Sequence, residues 1–177
     1  MKKKTLALVL ALTLLVAGVV GGTLAWLTDQ TAEVKNTFTV GDINIGLTET
    51  TADYKMVPGN TIAKDPTVTV KANSEACWLF VQITESADLK DFITYAIAEG
   101  WTALPGVDGV YYREVPASAA DQTFSVLAGD VVTVKSDVTR TMLETAKTDA
   151  PTLTFQAYAI QKDHFATADA AWAEVSK

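Results

Sequence analysis

The chain is poor in the residues that carry chemistry. Cys77 is its only cysteine, so no disulfide can form within the chain. It stands in the apolar run CWLFVQI, where a thiol is expected to be buried and inert rather than reactive. His164, in KDHFATAD, is the only histidine, and no HExxH occurs. A catalytic zinc needs two or three protein ligands converging on one ion, so zinc catalysis and a Cys77–His164 nucleophilic pair are both disfavoured. No P-loop and no GxGxxG is present, which removes the usual footholds for nucleotides. Asp88 with Asp91 reads as capping charge at a helix start rather than as a glycosidase pair. Asp42 with Asn44, and Asp163 with Asp169, fall short of a full set of calcium ligands. No metal and no cofactor is therefore expected.

Basic residues are also scarce once the N-terminus is set aside. Met1 is followed by three lysines, and residues 5–28 then carry no charge. A basic start, an apolar segment over about residues 6–20 and the small residues Thr23 and Ala25 have the layout of a secretory signal. A cut between Ala25 and Trp26 leaves 152 of the 177 residues. The competing reading is an uncleaved transmembrane helix, since about 20 apolar residues span a bilayer. Gly18, Gly21 and Gly22 weaken a helix at its far end, and no basic flank follows. The leader holds three of the 14 basic residues and none of the 21 acidic ones, so the remainder has a net charge of −10. That balance argues against nucleic acid or an anionic membrane as partner, with membrane contact only through the uncleaved signal segment. No LPxTG-like sorting motif and no apolar C-terminal tail is present.

What the chain has in quantity is short extended segments rich in Thr and Val. Phe38 and Val40 alternate in one phase, and Ile43, Ile45 and Leu47 in the other, which predicts a strand kinked at Gly41-Asp42. Pro58-Gly59-Asn60 and Asp65-Pro66 mark turns before a strand over residues 67–71 with Val68 and Val70 on one face. Residues 77–84 are apolar on both faces and predict a central strand. Leu89, Phe92, Ile93, Ala96 and Ile97 have helical spacing after Asp88, yet the segment is rich in β-formers, so a short helix or turn leading into a strand is expected. Asp108-Gly109 predicts a tight hairpin into a strand over residues 110–115. Residues 123–138 predict a further strand pair around Ala128-Gly129-Asp130, and residues 141–147 a helical turn. Leu153, Phe155, Ala157 and Ala159 alternate through the last strand, and Ala168, Trp172 and Val175 form the docking face of a C-terminal helix. Many short strands without a βαβ rhythm predict an all-β sandwich.

The stretch GGTLAWLTDQTAEVKNTFTVGDINIGLTE resembles the N-terminus of the TasA/camelysin family, which Gram-positive bacteria export with a dedicated signal peptidase, SipW. The family pattern falls on Gly22, Thr23, Ala25, Trp26, Leu27, Asp29, Asn36, Thr37, Phe38, Gly41, Ile43 and Ile45. VPGNTIAKDPTVTVKANSEACWLFVQI and AYAIQKDHFATADAAW are similar to its second and C-terminal blocks, while residues 88–150 match least. The resemblance implies a jelly-roll β-sandwich; with the readings above, the expected fold is all-β, a jelly-roll-like sandwich with one or two short helices, preceded by a helical signal peptide. Its parts would be the signal peptide over residues 1–25, an N-terminal arm over residues 26–35 and a β-sandwich domain over residues 36–177. It also implies a secreted structural protein of the biofilm matrix or cell surface, processed by a SipW-type peptidase at Thr23, Ala25 and Trp26. Such a protein self-associates into fibres or joins other matrix proteins. In the fibre the arm, with Trp26, Leu27, Ala32 and Val34, would pair as a strand with the next subunit, as open sheet edges permit. Camelysin-like members are described as metalloendopeptidases, an activity that a chain without HExxH and with one histidine is not expected to share. A glycan- or protein-binding module is the third reading, since jelly rolls often serve that way.

Overall fold

The computed structural model describes residues 42–50 and 55–177. The expected signal peptide, cleavage residues, N-terminal arm and kink at Gly41 lie outside the described residues. Within them the chain forms ten strands, all paired antiparallel, with a few short helices. The strands are β1 (Ile45–Thr48), β2 (Thr61–Ala63), β3 (Thr67–Val70), β4 (Cys77–Glu85), β5 (Ile93–Thr94), β6 (Thr102–Ala103), β7 (Val110–Val115), β8 (Gln122–Ser125), β9 (Val131–Val134) and β10 (Leu153–Gln161). They make three sheets in the orders β1-β3-β8, β10-β4-β7-β6 and β2-β9-β5.

Strand β4 organises the interior because it is apolar on both faces. Its Cys77, Leu79, Val81 and Ile83 meet Val68 and Val70 of β3 and Val132 and Val134 of β9, so the four-stranded sheet packs against the other two across one core. Its Trp78 and Phe80 point the opposite way, into a second cluster with Leu104, Val110 and the C-terminal helix α3 (Ala168–Val175). Trp172 of α3 lies 5.3 Å from the Phe80 ring and 5.2 Å from Tyr158, measured between centroids. The Trp78 indole N–H donates to the Phe165 carbonyl at 3.0 Å, so a large buried ring keeps its polar atom satisfied. Thr167 caps α3 by accepting from the Ala170 N–H, leaving Ala168 and Ala171 buried on the docked face.

Several expectations need correction. Among the described residues the α-helices are α1 (Leu89–Phe92), α2 (Arg140–Ala146) and α3, three where one or two were expected. Asp88 precedes α1 without a side-chain capping bond; its carboxylate instead accepts from the Ser86 hydroxyl at 2.9 Å. The helix ends after one turn because Ile93 and Thr94, both β-branched, leave it to pair with Val134 and Thr133. Asp108-Gly109 does turn the chain, but the loop runs over residues 104–109, closed by the Leu104 N–H donating to the Val110 carbonyl. Strands β8 and β9 do not pair with each other: β8 joins β3, and β9 lies between β2 and β5. The 3-10 turn Ala128–Asp130 therefore carries the chain from one sheet to another. Strand β2, three residues held between two turns, was not expected at all.

Candidate functional site: an uncharged strand edge beside an apolar cleft

Among the described residues no side-chain hydrogen bond links the members of any residue set considered for catalysis. Cys77 is fully buried in β4, and burial pushes its thiol up to about 11, so at neutral pH it stays protonated. His164 is exposed on the short turn after β10, and no hydrogen bond joins it to Cys77. Asp42, Asn44, Asp163 and Asp169 are all exposed. Among the described residues no group of three or more His, Cys, Asp or Glu comes together.

The feature that stands apart is the outer edge of β10. This strand pairs with β4 over its whole length, from Leu153 opposite Glu85 to Gln161 opposite Cys77. Among the described residues it has no neighbour on its other side. Its sequence, LTFQAYAIQ, holds no charged residue and no proline, the devices by which natural edges are blunted. The alternation places Leu153, Phe155, Ala157 and Ala159 on the core face, yet all four are only half-buried, whereas their β4 neighbours Leu79 and Val81 are fully buried. The core thus thins toward this edge.

Two clefts flank the first half of β10. One, about 280 Å³, separates it from β1 and is lined by Leu47, Glu49, Pro66, Leu153 and Phe155. The other, about 470 Å³, is lined by Met56, Ile62, Leu89, Val132, Pro151 and Leu153. Leu47 of β1 is 36% exposed, a large apolar side chain left at the mouth. Lys64, 7% exposed, reaches the Glu49 carboxylate at 2.5 Å and lies 5.3 Å from the Phe155 ring centroid. Its ammonium marks the polar limit of the groove. An extended segment laid here would meet backbone donors and acceptors along β10 and apolar side chains beneath.

The expected cleavage residues Thr23, Ala25 and Trp26, and the arm residues Leu27, Ala32 and Val34, lie outside the described residues. The edge they would serve was missed in the sequence, although its lack of charge is visible there. Also missed was Arg113, whose parity with Tyr111 and Val115 on β7 places it on the inner face. No protein-family model, no curated protein and no solved structure matches the chain.

Proposed function

We propose that this is a secreted structural protein of the TasA/camelysin kind, a jelly-roll subunit that self-associates by strand addition in an extracellular or cell-surface matrix. The observation that carries the reading is β10: nine residues long, uncharged, hydrogen bonded on one side only among the described residues, and bordered by half-covered apolar side chains. A long, uncharged edge is a template for another strand. The arm over residues 26–35 has ten residues, enough to follow a nine-residue edge at about 3.3 Å per residue. Trp26, Leu27, Ala32 and Val34 supply its apolar contacts. A SipW-type peptidase cutting after Ala25 releases the arm as it releases the chain, after which no membrane contact remains. The protein acts by contact rather than by catalysis, without cofactor, and its acidic surface keeps it from nucleic acid.

Negative-stain microscopy of the chain over residues 26–177, beside one over residues 36–177, tests this. Fibres from the first and none from the second are expected. Monomeric particles from both, across pH and ionic strength, would overturn the reading. N-terminal sequencing of exported protein checks the cut, which places Trp26 first.

A further inference from the structure

The chain has only two arginines, Arg113 and Arg140. Arg140 is exposed at the start of α2, whereas Arg113 reaches inward from β7 toward the side of the molecule formed by β6 and β8. Its guanidinium carbon lies 3.9 Å from the Phe124 ring centroid and 5.4 Å from that of Trp101. Trp101 is itself fixed, buried and donating its indole N–H to the Ser125 carbonyl at 2.9 Å. A Cβ on Gly100 would stand 2.9 Å from Arg113 Nη2, so the backbone there passes as close as a glycine allows.

This cation is well packed but has no acceptor among the described residues. Among the described residues no ion pair or hydrogen bond involves its guanidinium, and its Nε is buried with no partner. Burial lowers its pKa, which means that the loss of water is not offset by a nearby negative charge. The group nonetheless remains protonated. The Nε is enclosed and out of a ligand's reach, but the two Nη groups are not enclosed and also have no partner among the described residues, so they stand open to an acceptor from outside.

We propose that Arg113, held by Trp101 and Phe124, is the anchor of a carboxylate-binding site. Aromatic rings lie over the guanidinium, so the contacts that remain are the N–H groups on its rim. A planar carboxylate accepts two parallel N–H bonds in that plane, which a lysine ammonium does not match. The carboxylate comes either from a free small acid or from an acidic side chain of a second copy. The site stands apart from the β10 edge and does not depend on strand addition.

The test is nuclear magnetic resonance of the chain labelled with ¹⁵N-arginine, in which two Nε–H signals are expected and Arg140 serves as control. Sodium acetate is titrated against sodium chloride at matched ionic strength. The Arg113 Nε–H, which senses pairing at the Nη groups through the shared guanidinium, should shift and saturate at millimolar acetate, while Arg140 drifts without saturating. Phe124→Leu should raise the half-saturation concentration several-fold. If a second copy is the source, the Arg113 signal moves with protein concentration before acetate is added, and acetate reverses it. An Arg113 signal that neither acetate nor protein concentration moves saturably, or that chloride moves equally, overturns the proposal and leaves Arg113 as a plug in the sheet edge.

Discussion

Gly109 offers a sharp test of how the hairpin after β6 is seated on the central strand. Its φ is +73°, and an added Cβ would lie 2.4 Å from the Ile83 carbonyl oxygen. Gly106, in the same loop, has a φ of +75° with nothing within 4 Å of its Cβ position. The two substitutions Gly106→Ala and Gly109→Ala thus share one backbone cost and differ in one contact. Left-handed backbone costs an alanine about 1–2 kcal/mol, and the lost flexibility of the unfolded chain returns about 0.4–1 kcal/mol. Gly106→Ala should therefore destabilise by roughly 1 kcal/mol. At Gly109 the hairpin must also move off β4, stretching the 2.8 Å bond from the Ile83 N–H to the Gly109 carbonyl. Leaving that buried N–H poorly paired adds about 1–3 kcal/mol, for a total near 3. The assay is urea unfolding followed by tryptophan fluorescence, where a difference of about 2 kcal/mol moves the midpoint by roughly 1 M at an m-value near 2 kcal/mol/M. Ile83 pairs with Phe155 of β10, so the same shift would disturb the edge strand. Equal midpoints for the two variants would refute the reasoning.

Cys77 should not react with an aromatic disulfide reagent in the native protein at mildly alkaline pH and should react fully in denaturant; rapid native labelling would contradict its burial. Asp121 accepts from the Ala72 N–H at 2.8 Å and from Lys71 Nζ at 3.0 Å, and these bonds, the backbone one first, hold its carboxyl below the ordinary value. A depressed carboxylate stabilises above its unfolded pKa and loses that contribution as pH falls through its folded value. Asp121→Asn should therefore flatten the acid side of the stability profile and leave it unchanged in slope near neutrality; an unaltered acid limb counts against the bond. Gln156→Lys puts a charge in the middle of the β10 edge, where Gln156 is exposed, and should cut fibre yield several-fold while the unfolding midpoint stays within about 0.5 kcal/mol of its original stability, as surface changes usually do. Unchanged yield by light scattering would show that this edge is not the contact.

The elements legible in the sequence were those whose side chains alone decide the matter. Two-faced burial of β4 followed from Trp78 and Phe80 interleaved with Leu79 and Val81, and the alternation of β10 and the face of α3 read directly. Val68 and Val70 share a face as their spacing requires. Pairing was another matter. Nothing in VLAGDVV says that β8 and β9 go to different sheets, because hydrogen-bond partners are set by β3, β2 and β5, far away in the chain. Strand β2 is too short for a period to show. The burial of Cys77 was readable from its neighbours. The open edge was not, since the sequence displays which residues of β10 lack charge but not which side of the strand is unpaired. Arg113 escaped notice because a cation between Tyr112 and Glu114 reads as surface, and its two aromatic partners come from separate segments.

Strand addition to β10 has a direct readout in amide exchange. In an antiparallel edge strand alternate residues turn both N–H and C=O outward, so about half of the β10 amides face away from β4. Hydrogen exchange over residues 153–161 is compared between the assembled chain of residues 26–177 and the chain of residues 36–177. The account predicts that the outward amides exchange freely without the arm and become protected with it, while the inward set is slow in both. Equal exchange of the outward amides in the two samples would contradict it.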